Sequence, residues 1–265
     1  MERKNLNLYQ NYFNGGFMLV SVLIPTLKKN EDYLNICMNS LAENSNFSFE
    51  ILVAENGEGS EHPQGQCMAV NRVSKQAKGD WLLIANDDMF FPYEWDKRID
   101  FTISDCFSPN LVEPLEQGSA PPFLKLDAGN TTEFNRDKVS YFCLSNKDDK
   151  VEHGFNFPVF IKKELWDKIG GYDEKFDPWG SNGDNDLQYK IILAGVMPRR
   201  NRGVLVYHLG SKSGTCVNGQ IAHQDYWQKN WDYFIEKWGF PRTEDPWGLV
   251  QIPIENKFHP DWEAK

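Results

Sequence analysis

The chain has 265 residues, 40% of them apolar and 25% charged, the proportions of a folded soluble domain with a sizeable core. A formal net charge of −10 excludes nucleic acid as the main partner, because a phosphate backbone needs a basic footprint. Five scattered cysteines, odd in number and without a CxxC pair, read as reduced thiols in a cytoplasmic setting and exclude a structural zinc site. Residues 1–17 form an N-terminal extension with no apolar stretch long enough for a signal peptide, and no run approaches the length of a membrane span.

"FMLVSVLIP" (17–25) is a near-continuous apolar run rich in β-branched residues and stopped by Pro25, which predicts a buried strand. Asn30 then caps a predicted helix whose first turn holds Glu31 and Asp32 and whose apolar face carries Leu34, Met38 and Leu41. "FEILVAENG" (49–57) predicts a second buried strand, and a second helix follows through Val70, Val73 and Ala77, with Gly79 placed to end it. "WLLIA" (81–85) is the third strand. Strand, helix, strand, helix, strand predicts an α/β domain with a mostly parallel sheet flanked by helices. Ligands in such sheets bind beyond the carboxyl ends of the strands, so Thr26, Glu55–Asn56 and Asn86–Asp88 should converge on one crevice.

The middle of the chain is less regular. Between residues 103 and 153 only "VSYFCL" (139–144) looks like a strand. "KKELWDKIGG" (162–171) predicts a short helix closed by glycine, and "DNDLQYKIILAG" (184–195) a longer one with Leu187, Ile191 and Ala194 on one face. "RRNR" (199–202) reads as a solvated loop before the strand "GVLVYH" (203–208). Trp227, Trp231, Phe234 and Trp238 recur at helical spacing until Gly239 and Pro241 stop the pattern, a stripe expected to pack on the main domain.

Taken in order, "VSVLIPTLKKNEDYLNICMNSL", "EILVAENG" and "NRVSKQAKGDWLLIANDDM" resemble the nucleotide-sugar half of inverting glycosyltransferases of family 2, which have the GT-A fold. "GFNFPVFIKKELWDKIGGYDEKF" with "GDNDLQYKIILAG" is similar to the acceptor half of that family, and "DPWGSNGDND" to the tryptophan–glycine–acid loop of animal galactosyltransferases. The resemblance implies a GT-A domain over 18–215, divided into a nucleotide-sugar half (18–100) and an acceptor half (101–215), with a helical aromatic tail over 216–265.

The resemblance also implies roles. "NDD" fits the family's DxD metal motif in an N-x-D form, making Asp88 a direct ligand of Mn²⁺ or Mg²⁺, with Asn86 and Asp87 holding ribose or a metal-bound water. His208 matches the later metal ligand, and imidazole suits Mn²⁺ better than Mg²⁺. Asp184 matches the base that takes the acceptor hydroxyl's proton, at a helix start that favours negative charge. Thr26, Glu55 and Asn56 fall where the family holds the nucleobase and ribose, while Trp179, Gly183 and Asp186 fall on the acceptor side. Gly183 stands where the family carries an acid.

Taken alone, each motif has a plainer reading: strand-end acids as solvated turn residues, Asp184 and Asp186 as helix N-terminal charges, Trp179 as packing over its loop. The ordered set implies a metal-dependent, non-processive transfer of one sugar from a nucleotide-sugar, expected to be a UDP-sugar, to a glycan, lipid-linked or protein acceptor. The processive Q-x-x-R-W motif is missing. The alternatives are a catalytically degenerate sugar-binding module and a sugar-nucleotidyltransferase, against which the first loop, "PTLKKNED", offers no glycine. The tail offers a surface for an oligomer.

Overall fold

A computed structural model describes residues 18–27, 31–55, 65–115, 123–129, 133–177, 180–210, 216–217, 220–221 and 224–241. The elements in chain order are β1 (Leu19–Thr26), α1 (Glu31–Asn44), β2 (Ser48–Glu55), α2 (Gln66–Ser74), β3 (Trp81–Ile84), β4 (Met89–Phe90), β5 (Cys106–Glu113) and β6 (Leu124–Lys125). There follow α3 (Arg136–Ser145), β7 (Val151–His153), β8 (Val159–Lys162), α4 (Lys163–Ile169), a 3-10 turn (Glu174–Phe176), α5 (Gly183–Leu193), β9 (Arg199–His208), β10 (Cys216–Val217), β11 (Gln220–Ile221) and α6 (Gln224–Trp238).

The main sheet runs β2-β1-β3-β8-β5-β9-β4, with β6 paired to β5 and β7 to β9. β1 lies parallel to β2 and β3, and β5 parallel to β9, while β8, β4 and β7 run against the rest. Alternate residues of β1 feed opposite layers. Val22 and Ile24 pack with Leu34 and Leu41 of α1, whereas Leu23 joins Val70, Trp166, Leu187, Phe234 and Trp238. A central strand buried on both faces must be apolar at every position but the specialised ones, which is why "VSVLI" reads as a continuous run. The exception, Ser21, donates to Glu50 at 2.6 Å and accepts from the backbone N–H of Gly79 at 2.9 Å.

Three local readings change. Residues 139–144 lie inside α3: Val139 and Cys143, one turn apart, are its buried face, and Asn135 caps it by accepting from Lys138 N–H. A short apolar run does not separate strand from buried helix, and the cap decides here. α2 ends at Ser74 with Lys75 as its cap, so Gly79 is not the terminator. Gly79 is required instead by the passing backbone, since a Cβ there would lie 2.6 Å from Leu19 O. "RRNR" begins β9 rather than forming a loop, and Arg200 is 1% exposed, donating to Asn156 and facing Glu152. Asn30 lies outside the described residues.

The second half of the α6 stripe packs as expected, while Trp227 and Trp231 are half-buried and stack on each other at 5.5 Å. Phe234 and Trp238 are buried in the same core as α2 and α5, and the Trp238 indole meets Tyr189 edge-on at 4.3 Å. An oligomer formed through those two side chains would have to displace this packing. Among the described residues no helix is long and apolar enough to cross a membrane.

Candidate active site

The codirectional strands deliver their carboxyl ends to one rim of the sheet. Thr26 ends β1, Glu55 ends β2, Asn86–Asp88 follow β3, Glu113 ends β5 and His208 ends β9. Thr26, Glu55 and Asn86–Asp88, expected at one crevice, thus lie on one rim of the sheet.

The acids after "WLLIA" do not end in solvent. Asp87 is 1% exposed and Asp88 fully buried. The Thr26 hydroxyl donates to Asp87 Oδ2 at 2.7 Å, tying the end of β1 to the turn after β3. The Asp88 backbone carbonyl accepts from Leu209 N–H at 2.9 Å, and β4 pairs Met89 with His208. This register carries the His208 Nε2 to 3.4 Å from Asp88 Oδ1. On its other side, Nδ1 lies 3.3 Å from Glu113 Oε1. Burial alone would lower the imidazole's pKa, but Asp88 and Glu113 outweigh it and carry it up to about 10. Cys37, whose thiol donates to the Asn86 carbonyl at 3.7 Å, is pushed up by burial and by Asp87 and Asp88, and stays protonated.

The second cluster sits at the start of α5. Asp184 is half-buried there, and the Tyr172 hydroxyl donates to its Oδ1 at 3.0 Å. Burial and the neighbouring Asp184 raise Tyr172 well above the usual phenol value, so it remains a donor. The backbone of Tyr172 is fixed in turn by Asn71, whose Oδ1 accepts from its N–H at 2.9 Å. α2 starts after Gly65, which has no side chain to cap it; Asp177 does so from across the fold, accepting from Cys67 N–H at 3.1 Å and Met68 N–H at 2.7 Å. Gly183 packs against the same helix, where a Cβ would meet Cys67 Sγ at 3.0 Å. These contacts hold the start of α5 beside the start of α2, on the rim that carries the β2 end.

The candidate residues divide accordingly. Thr26, Asn86, Asp87, Asp88 and His208 come together; Glu55 is exposed at the next strand end, its carbonyl accepting from Arg72 at 2.9 Å. Asp186, one of the expected acceptor contacts, is fully buried and faces α6, accepting from Trp238 Nε1 at 2.9 Å and pairing with Lys237 at 2.7 Å. Its carboxylate anchors that helix. Asn56 and Trp179 lie outside the described residues. Glu113 and Tyr172 were not singled out from the sequence. Glu113 repeats the signal of Asp87–Asp88, an acid at the end of a buried strand, but "CFSPNLVE" is too polar to stand out.

Among the described residues no group of three or more His, Cys, Asp or Glu side chains could hold a metal ion by itself. Asp88 and His208 supply two protein donors, a carboxylate oxygen and an imidazole nitrogen, a set that suits Mn²⁺. The carboxylate beyond the far ring nitrogen is the usual support of a metal-binding histidine.

No family profile matches the sequence, and no curated protein matches it. Among solved structures the chain is similar to GalNAc-T7 with UDP, GalNAc and Mn²⁺, at a TM-score of 0.58 and 15% identity over 96% of this chain and 56% of that one. It is also similar to TarS of S. aureus, at a TM-score of 0.53 and 15% identity over 84% of this chain and 44% of that one. The chain thus has the fold of GT-A glycosyltransferases, with a mixed but mostly codirectional sheet between helical layers. It spans about half the length of each of these two neighbours.

Proposed function

We propose that the protein is a metal-dependent, inverting, non-processive glycosyltransferase that moves one sugar from a UDP-sugar to an acceptor hydroxyl. The observation that carries this reading is the buried Asp88–His208 pair, placed on the same strand-end rim as Thr26 and Asp87 in a GT-A fold. Such a pair needs a reason to exist: two buried polar side chains cost desolvation free energy that apolar residues would not. Two protein donors are enough for a divalent cation whose other ligands are substrate phosphate oxygens and water, the arrangement common for Mg²⁺ sites. When bound, Mn²⁺ or Mg²⁺ supplies charge neutralisation to the leaving diphosphate.

The chain's own residues do the rest. Thr26, Asn86, Asp87 and Glu55 line the strand ends where the nucleoside would lie, with Asn56 beside them in sequence. The acceptor oxygen attacks the anomeric carbon, the bond to the diphosphate oxygen breaks with its electron pair going to the phosphate, and the acceptor's proton passes to the Asp184 carboxylate. Tyr172 orients that carboxylate through its hydrogen bond to Oδ1. Gly183 and Trp179 complete the acceptor side of this reading. A reducing, cytoplasmic setting belongs to it as well, in keeping with the buried free thiols of Cys37, Cys67, Cys106 and Cys143.

Calorimetric titration of UDP, with and without Mn²⁺ and repeated on Asp88→Asn, tests the donor site. Mn²⁺-dependent binding that the substitution abolishes is the expected result. Silence toward UDP, GDP, CDP and dTDP under every condition would overturn the reading. Gly183, in the place of an expected acid, favours a second reading as a non-catalytic binding module. That module would bind UDP with Mn²⁺ yet release no UDP from any UDP-sugar.

A further inference from the structure

β5 and β9 run side by side in parallel, with Val112 opposite Tyr207, so the residues that follow them, Glu113 and His208, emerge next to each other at the rim. β6 pairs with the end of β5 on the edge opposite β9 and sets Lys125 opposite Glu113. Glu113 is 5% exposed, and its two oxygens face different partners: Oε1 is 3.3 Å from His208 Nδ1, and Oε2 is 3.2 Å from Lys125 Nζ. A carboxylate oxygen facing Nδ1 from this distance favours the ring hydrogen on that nitrogen, and Lys125 holds the carboxylate in place from its other side.

That choice fixes what the other ring nitrogen can do. Once the hydrogen on Nε2, the atom 3.4 Å from Asp88 Oδ1, is displaced, a ring whose other hydrogen is held on Nδ1 presents the Nε2 lone pair. A cation at Nε2 takes the position of a proton there, and the remaining proton stays where Glu113 accepts it. Without the Glu113 carboxylate, Asp88 is the stronger acceptor and draws the hydrogen to Nε2, which blocks the lone pair. We propose that Glu113, braced by Lys125, is a positioning residue that sets the tautomer and orientation of His208 as a donor to the divalent cation. This role rests on the reading of Asp88 and His208 as the metal site.

Three full-length proteins test it: wild type, Glu113→Gln and Lys125→Met. Free Mn²⁺ is followed by electron paramagnetic resonance at saturating UDP, and the His208 ring by ¹⁵N–¹H spectra of imidazole-labelled protein with UDP and Mg²⁺. Glu113→Gln is expected to weaken Mn²⁺ about 10- to 100-fold, the usual cost of losing such a support. Its His208 resonances should shift from one Nδ1–H form toward the Nε2–H form, a change that a merely structural salt bridge would not produce. Lys125→Met leaves Glu113 in place and should weaken Mn²⁺ less, by about tenfold or under; it carries the test if Glu113→Gln does not fold. Wild-type Mn²⁺ affinity and an unchanged ring spectrum in both variants would overturn the role of Glu113 while leaving the donor site standing. Failure of the wild type to bind Mn²⁺ with UDP would overturn the metal site itself, and this role with it.

Discussion

Asp88 and His208 face each other across the β4–β9 pair, Nε2 to Oδ1 at 3.4 Å, although they lie far apart in sequence. Neither can hold a cation well alone, so they should act as a unit. Asp88→Asn and His208→Gln are each expected to lower the rate of UDP-sugar turnover about a thousandfold, the scale of losing metal stabilisation of a leaving group. The double variant should be little worse than either single one, because residues that act together are non-additive. Losses that multiply in the double variant, measured by UDP release, would break the pair apart.

Asp184 and Tyr172 should separate by kinetic parameter. Asp184→Asn removes the proton acceptor and is expected to lower kcat by about 10²- to 10⁴-fold, with UDP affinity unchanged within about twofold. Tyr172→Phe removes one hydrogen bond to a carboxylate and should lower kcat by about tenfold. Calorimetric UDP affinities alongside steady-state rates distinguish a base and its support from a donor-site defect.

How much of this was legible depended on where sequence pattern and burial agree. β1, β2 and β3 showed as apolar runs because these strands are covered on both faces, and their ends then located the rim. α3 was misread as a strand because Tyr141, 76% exposed, and Leu144, 41% exposed, filled the gaps between its buried positions and erased the helical period. The first half of β9 read as loop because Arg199, Arg200 and Arg202 look like surface residues. Arg200 is buried only because Asn156 and Glu152 come from distant segments to meet it. The role of Asp186 was hidden for the same reason, since its partners Lys237 and Trp238 lie on a helix whose pairing with α5 leaves no mark in the sequence. Long-range partners leave no local mark.

Asp173 links this docking to pH. Burial alone would raise its carboxyl, but hydrogen bonds from Lys237 and from the Tyr233 hydroxyl, each at 2.7 Å, outweigh it and hold the group below its ordinary value of 3.8. A depressed folded value means that the stabilisation is present above pH 3.8 and is lost as pH falls through the folded value. Wild type should therefore exceed Asp173→Asn by about 2 kcal/mol at pH 7, with the two converging as pH falls through the folded value. Urea midpoints across that range check the sign. A gap that widens in acid would contradict it.

Asn182 sits in the left-handed region at φ 64°, 5% exposed, and neither polar atom of its side-chain amide has a hydrogen-bond partner. Left-handed backbone at a non-glycine residue costs about 1 kcal/mol or more, and an unmet buried amide about 1–3 kcal/mol. Glycine relieves both and gives back about 0.4–1 kcal/mol through the freer unfolded chain. Asn182→Gly should therefore raise stability by about 1 kcal/mol in urea melts. A simultaneous fall in kcat/KM would assign the amide to the bound acceptor, two residues from Asp184.

Gly183 and Cys67 explain why the expected acid is missing beside Asp184. A Cβ at 183 meets the Cys67 sulfur at 3.0 Å, tighter than ordinary contact, and Cys67 is 1% exposed with Phe176 closing the same space. A glutamate there would also bring a third carboxylate toward Asp184 and Asp177, which already push the Cys67 thiol upward after burial itself. Gly183→Glu should cost about 1–3 kcal/mol from overpacking. Cys67→Ala clears the sulfur, so the double variant should lose less than the sum of the single changes by at least about 0.5 kcal/mol. Strict additivity in a urea-melt cycle would mean that the sulfur does not set the identity of residue 183, and that charge against Asp184 does.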